Sequence, residues 1–233
     1  MNEKKNIGQL FDRIARKYDL LNHLLSLNID RYWRKNAVNM LESTHGGKDN
    51  CLDVAIGTAD LAIQLARKFP STQITGIDLS AEMMRIGGQK TKNAGLDNRI
   101  SFLQASALDI PFPDESFDVV TCAYGVRNFS DLDKGLKEMC RVLKTHGTLL
   151  ILEFSYPRNR LIALLYDIYF SHIMPLIGKL LSHDPTAYSY LNRSVKNFVW
   201  GERMCSHLQN AGFSNVTFHP LTFGITTAYL ATK

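Results

Sequence analysis

The 233-residue chain has no long apolar run, no glycine-rich phosphate loop and no cysteine pair, and each absence removes a class of protein. The four cysteines, Cys51, Cys122, Cys140 and Cys205, form no C-x-x-C, and three lie in apolar strand or helix patterns. They read as reduced, buried thiols, which excludes a disulfide scaffold. The most apolar stretch, 161–181, is interrupted by Asp167, His172, Pro175 and Lys179. A membrane-spanning helix needs about 20 mostly apolar residues, so this is not one. The opening segment MNEKKNIGQLFDRIARKYD lacks an apolar core, so no signal peptide is expected and the expected location is cytoplasmic. Basic residues exceed acidic ones, 27 to 22, but they are scattered, with no Lys/Arg block. That argues against a nucleic-acid partner and leaves an anionic membrane surface open. The seven histidines are dispersed, and no His, Cys, Asp and Glu set has metal-ligand spacing, so no metal is expected.

What is present is a 45% hydrophobic chain, enough for one full core. Residues 6–43 carry apolar residues at spacings of three and four, which predicts two helices. Asn28 suits a left-handed break between them, and Asp30 is the expected N-cap of the second. HGGKDN (45–50) reads as a linker. Short apolar runs then alternate with helical patterns. Strands are expected at 51–55, 73–78, 100–105, 117–123 and 148–154, with helices at 59–69, 80–93 and 131–143. Near-continuous apolar strands separated by helices imply a parallel sheet covered on both faces, and right-handed crossovers make it doubly wound. After Pro157 come two or three helices, over 159–181, 186–199 and 201–212. The chain ends in two strand-like runs, NVTFHPL and FGITTAYLAT, too close for a crossover helix and so antiparallel. The expected fold is an α/β, mostly parallel seven-stranded sheet with N-terminal helices and a helical insertion before the last two strands.

Such a sheet binds ligands at the carboxyl ends of its strands. The first strand leads into DVAIGTAD (53–60), where Gly57 permits a sharp turn and close approach. Neither G-x-G-x-x-G nor the P-loop pattern is present, so a pyrophosphate cradle is not supported. Asp78 ends the second strand and is placed to bind the two hydroxyls of a ribose. The alternative, capping the next helix, suits Ser80 better. Ser106 and Ala107 follow the third strand, where an adenine would rest, and Ala123 ends the fourth. A ribose and an adenine without a pyrophosphate loop suggest S-adenosylmethionine, whose sulfonium is already activated for methyl transfer. The expected cofactor contacts are Asp53, Gly57, Thr58, Asp78, Ser106, Ala107 and Ala123.

Five ordered blocks carry a family resemblance: FDRIARKYDLLNHLLSLNIDRYWR (11–34), DVAIGTAD, GVRNFSDLDKGL (125–136), EFSYP (153–157) and YSYLNRS (188–194). Along nearly its whole length the chain resembles the ubiquinone/menaquinone biosynthesis C-methyltransferase family. It departs from that pattern at Asn28, Ala59, Ser106, Ala123 and Val199. The resemblance implies a class I, Rossmann-like methyltransferase in one domain, 1–233. Residues 1–45 would form a helical lid, 50–157 the cofactor core, 158–212 a substrate- or membrane-facing helical part, and 213–233 the terminal antiparallel strands. The implied reaction is methylation of a ring carbon of a prenylated quinol, either 2-demethylmenaquinol or a benzoquinol of the ubiquinone pathway.

A quinol carbon becomes nucleophilic when a neighbouring hydroxyl loses its proton, so the site must accept that proton or hold the oxyanion. Arg127 is the first candidate for holding it; the alternative is a surface ion pair with Asp131 or Asp133. Asn128 would orient substrate or simply form a turn. Tyr18 and Asp19 would reach the quinol from the lid, as contact and as base, or belong to a packed helix. Glu153 and Tyr188 are further candidates. The apolar residues of 159–181 would line a route for the prenyl tail, cover the sheet, form a homodimer interface, or rest peripherally on the inner face of the membrane beside Arg158, Arg160 and Lys179.

Overall fold

The computed structural model describes residues 7–44, 49–169 and 193–233. Two helices open it, α1 (Ile7–Leu25) and α2 (Ile29–Met40). Between them Leu27 and Asn28 are left-handed, with φ of 52 and 60 degrees. Asparagine tolerates that region better than most residues, and it occupies the N-cap position of α2. The structure corrects the expected cap at Asp30. That residue lies in the first turn of α2, buried, and its carboxylate is taken by Ser26 Oγ, His23 Nδ1 and Arg34.

Seven strands follow: β1 (Asn50–Val54), β2 (Gln73–Asp78), β3 (Ile100–Gln104), β4 (Phe117–Ala123), β5 (Leu143–Phe154), β6 (Ser214–Leu221) and β7 (Thr226–Thr232). Their order across the sheet is β3-β2-β1-β4-β5-β7-β6. The first five run parallel, and β7 pairs antiparallel with both β5 and β6. The chain runs outward from β1 to β3, then returns to place β4 on the other side of β1. The switch point therefore lies between β1 and β4, where a ligand crevice opens at the carboxyl ends of the strands.

The helices α3 (Asp60–Lys68), α4 (Ala81–Asn93), α5 (Leu132–Val142), α6 (Arg160–Ile168) and α7 (Glu202–Asn210) complete the description, with residues 193–197 also helical. On one face of the sheet Trp33 and Val38 of α2, with Leu41 just after it, pack with Leu61 and Leu65 of α3 and Met84 of α4. On the other, Leu136 and Met139 of α5 meet Met204 and Leu208 of α7. The run Leu149–Leu152 of β5 is buried throughout, as expected of a strand covered on both faces. Each such side chain contributes about 1.5–3 kcal/mol by burial. β5 starts earlier than its apolar run because α5 ends directly into it at Leu143, whose neighbour in β4 is Phe117.

Three helix starts, those of α4, α5 and α6, are capped by side chains. Ser80 Oγ accepts the Met83 N–H at 3.1 Å, Asp131 accepts that of Lys134 at 3.0 Å, and Asn159 accepts those of Leu161 and Ile162. Of the helix expected over 159–181, the described part is Arg160–Ile168; the remainder with Lys179, and Tyr188, lie outside the described residues. No helix among the described residues is long and apolar enough to cross a membrane.

Candidate cofactor and active site

The loop after β1 alternates left-handed residues with buried ones. Ala55, Gly57 and Ala59 have φ of 57, 54 and 67 degrees. For an alanine that conformation costs about 1–2 kcal/mol. Two backbone bonds hold it, Ile56 N–H to Ile77 O at 3.0 Å and Ala59 N–H to Ile56 O at 2.9 Å. The Ala59 methyl is fully buried at the start of α3, in the core of that face. The loop is tied to β2 by Asp78, whose carboxylate accepts the Gly57 N–H and the Ser80 N–H, each at 2.9 Å. A carboxylate offers about four acceptor positions, so capacity remains for ribose hydroxyls beside these two bonds and the weaker pull of the Leu79 N–H. Burial pushes the Asp78 pKa up, against the pull of those backbone donors.

A cavity of about 310 Å³ lies over this loop. Its floor is Ala55, Gly57, Asp78, Ser106, Ala107 and Ala123. Its far wall is Tyr124, Gly125, Asn128 and Phe129, and its roof is Ile7, Gly8, Phe11 and Tyr18 of α1. Gly8 lets α1 lie close on the turn after β2: a Cβ there would stand 3.3 Å from both Leu79 Cβ and Leu79 O. Ser106 Oγ accepts the Leu108 N–H at 3.1 Å, which fixes the turn after β3. The donor set fits S-adenosylmethionine in kind. It offers a fixed carboxylate for a ribose, small residues where a ligand must pass close, and no clustered cations for a phosphate chain.

At the far wall Tyr124 is left-handed at φ 58 degrees, an outlier for a bulky residue. Its ring stacks at 4.5 Å on Phe154, and the Arg34 guanidinium lies 5.5 Å from its centroid. The strained turn is clamped from beneath. The Arg127 guanidinium donates to the Tyr124 carbonyl and to Glu153 Oε1, the latter at 2.8 Å. Both partners of this ion pair are buried. Burial pushes the Glu153 pKa up while Arg127 pulls it down. Arg127 is thus not a surface residue paired with Asp131 or Asp133. Asp131 caps α5, and Asp133 pairs with His207. Nor does Arg127 line the cavity; its charge acts on the Tyr18 phenol, whose pKa burial raises and Arg127 lowers.

Three further expected site residues lie outside the cavity lining. Asp19 is occupied on both oxygens, by Thr58 Oγ1 at 2.5 Å and by Lys90 Nζ at 2.7 Å, which leaves it a tether rather than an open base. Thr58 is engaged in the same contact. Asp53 is buried beneath the loop and accepts from Thr121 Oγ1 at 2.7 Å. Burial, reinforced by the charge of Asp78, pushes the Asp53 pKa up to about 7, although Thr121 and Arg34 pull it down. Its unfolded value is about 3.9, so the folded state holds an extra proton between those limits, and stability falls as pH rises from about 4 to about 7. Asp53→Asn keeps the acceptor for Thr121 and removes the ionisation. Its melting temperature should exceed that of the wild type at pH 8, with the gap closing towards pH 4. A gap that does not change with pH would refute this origin of the effect.

The fold also assembles a donor group that spacing did not show. His23, Asp30 and Asp60 bring ligand atoms within 4.8 Å of one another. Arg34 already contacts both carboxylates, and Lys90 bonds Asp60 at 2.5 Å. Burial opposes the charge on Asp60, yet Arg34 and Lys90 hold its carboxyl below the usual range. The group is a charge network joining α1, α2, α3 and α4. Sequence reasoning also passed over Phe11, Leu79 and Tyr124 in the cavity; the signal available was that Leu79 and Tyr124 directly follow strands.

The sheet order, the carboxyl-end cavity and the acid closing β2 define a Rossmann-like methyltransferase of class I. A solved structure of that fold, phosphoethanolamine N-methyltransferase 2 of Haemonchus contortus in complex with S-adenosyl-L-methionine, superposes with a TM-score of 0.63 at 16% identity, over 85% of this chain and 52% of that one. The chain belongs to the ubiE/COQ5 methyltransferase family, whose model matches residues 1–233. Its curated relatives include a demethylmenaquinone methyltransferase of Bacteroides fragilis, 46% identical over 99% of this chain and 94% of the relative. Another is a ubiquinone/menaquinone biosynthesis C-methyltransferase of Geotalea daltonii, 45% identical over 98% and 97%. The protein is an S-adenosylmethionine-dependent C-methyltransferase.

Proposed function

We propose that the enzyme methylates a ring carbon of 2-demethylmenaquinol to give menaquinol. The observation that carries this reading is one cavity whose lining brings the Asp78 carboxylate together with the Tyr18 phenol and the Asn128 amide. The names of the relatives support the naphthoquinol over the benzoquinol. When bound, S-adenosylmethionine supplies a methyl group activated by its sulfonium. Asp78 holds the ribose hydroxyls with its remaining acceptor positions. Tyr18 and Asn128 meet the quinol, and the positive charge of Arg127 behind Tyr18 favours an oxyanion there. As that hydroxyl ionises, the ring carbon gains the electron pair that forms the new bond. The methyl–sulfur bond would break as the new carbon–carbon bond forms, and loss of the ring C–H proton would restore the aromatic ring as the oxyanion regains a proton, so the net products are S-adenosylhomocysteine, the methylated quinol and the one proton first released by the hydroxyl. The α1 roof excludes water and fixes the approach.

The prenyl tail calls for an apolar surface, and α6 offers one. Leu161, Leu164, Leu165 and Ile168, spaced as one helical face, are all exposed, with Arg160 at the start of the helix. This arrangement supports peripheral contact with the anionic inner face of a membrane rather than a dimer interface. The test uses phosphatidylglycerol vesicles carrying one reduced quinol at a time. Turnover is expected with 2-demethylmenaquinol, falling as added salt shortens the screening length from about 10 Å to about 3 Å. Turnover confined to the demethylated benzoquinol would overturn the substrate, and salt-independent turnover would overturn the surface.

A further inference from the structure

Helix α1 carries two pairs of residues seven apart, which is about two turns and so one stripe each. Asp12 and Asp19 form one stripe, Phe11 and Tyr18 the next. Phe11 and Tyr18 both line the cavity, and their rings meet edge to face at 5.9 Å. The two acids fasten the helix. Asp12 Oδ1 accepts from Ser80 Oγ at 2.5 Å and from the Glu82 N–H at 3.2 Å, at the start of α4. Asp19 is held at the other end of α4 by Lys90.

Lys90 does more than pair with Asp19. Its ammonium has three donors, and the structure gives three acceptors: Asp19 Oδ2 at 2.7 Å, Asp60 Oδ1 at 2.5 Å and Thr58 Oγ1 at 3.3 Å. Those acceptors belong to α1, to α3 and to the loop between β1 and α3. Two of them neighbour a working part of the site. Tyr18 precedes Asp19, and Gly57, which holds Asp78, precedes Thr58. The side chains of Lys90, Asp19 and Asp60 are about a quarter exposed, 27%, 26% and 22%.

We infer that Lys90 is a positioning residue of the methyltransferase: through Asp19 and Thr58 it sets the cavity-facing Tyr18 of α1 and the cofactor loop in one register, and its bonds must break for α1 to lift and release the spent cofactor. The inference rests on the S-adenosylmethionine reading of the cavity. It does not need the quinol assignment, because its main readout uses the cofactor product alone.

The experiment measures dissociation of S-adenosylhomocysteine by stopped flow in the full-length enzyme, and kcat and KM with 2-demethylmenaquinol. Lys90→Met keeps the stem and removes the donors. It should speed dissociation by about tenfold or more, since charge-assisted bonds at a partly buried site are lost, and lower kcat. Lys90→Arg should restore both to near wild type. In a Tyr18→Phe background, Lys90→Met should lower kcat by less than it does alone, because the two act through one contact. Faster dissociation with rescue by arginine supports the assignment. A folded Lys90→Met enzyme with wild-type dissociation overturns it, as do fully additive effects on kcat. Asp19→Asn breaks the same pair from the other side, and unchanged dissociation there also overturns it. Loss of all S-adenosylhomocysteine binding in the wild type would instead sink the cofactor reading.

Discussion

Asp78→Ala should weaken S-adenosylhomocysteine binding by about 100- to 1000-fold, the equivalent of about 2.7–4.1 kcal/mol. Two hydrogen bonds from ribose hydroxyls to a carboxylate account for an effect of that size. The wild-type carboxylate is already oriented by the Gly57 and Ser80 N–H groups, so little is lost in aligning it for the ligand. The alanine also releases those two donors, which loosens the loop. Asp78→Asn separates the contributions. An amide oxygen satisfies one N–H, while the amide nitrogen faces the other donor, so binding should suffer nearly as much. Calorimetric titration measures the loss, with thermal unfolding as a check on the fold. A loss below tenfold would remove Asp78 from the cofactor site.

The second large effect is expected at Arg127. Arg127→Ala leaves Glu153 buried without its guanidinium and frees the carbonyl of the strained Tyr124. Removing one partner of a buried pair costs about 3–5 kcal/mol, which for a chain of this size lowers the melting temperature by about 6–20 °C. The pH dependence identifies the cause. The Glu153 pKa is raised by burial even beside Arg127, and without that charge it rises further. A carboxyl whose folded pKa exceeds its unfolded value of about 4.3 loses stability as pH rises, so the variant should be weakest at pH 8 and approach wild type near pH 5. Arg127→Met combined with Glu153→Gln should recover most of the stability. Turnover should stay at least about 100-fold down, since the charge behind Tyr18 is still missing, as when a single oxyanion donor is removed. If the double variant regains turnover, Arg127 serves only to hold the fold.

What the sequence disclosed follows the range of the interactions. β2 and β4 coincide with their apolar runs, because burial on both faces of a strand is written into consecutive residues. Ser80 could be placed at a helix boundary since its cap joins residues three apart, and Asn28 because asparagine tolerates the left-handed break it occupies. Asp30 misled because its partners are chosen by which helices meet: Arg34 shares its helix, but His23 comes from α1 and competes for the same carboxylate. The partner of Arg127 was hidden for a like reason. Asp131 and Asp133 are near in sequence, while Glu153 is near only because β4 and β5 are neighbours in the sheet. Asp78, Ser106 and Ala123 were readable as cavity residues because a parallel sheet puts all its strand ends on one side. Lys90 was not readable, since nothing in a helical pattern says which lysine will reach another helix.

Ala55 and Ala59 have one more consequence, and it concerns timing. An alanine samples fewer backbone states than a glycine in the unfolded chain, so fixing these two positions forfeits less disorder, a partial offset to the cost of their left-handed angles. Their left-handed angles are held by the Ile56–Ile77 and Ala59–Ile56 backbone bonds and by burial of the Ala59 methyl, none of which requires a ligand. The cofactor therefore meets a loop with its disorder already removed. On the inference that α1 must lift to exchange the cofactor, the association rate should follow the motion of that helix rather than any ordering of the loop beneath it.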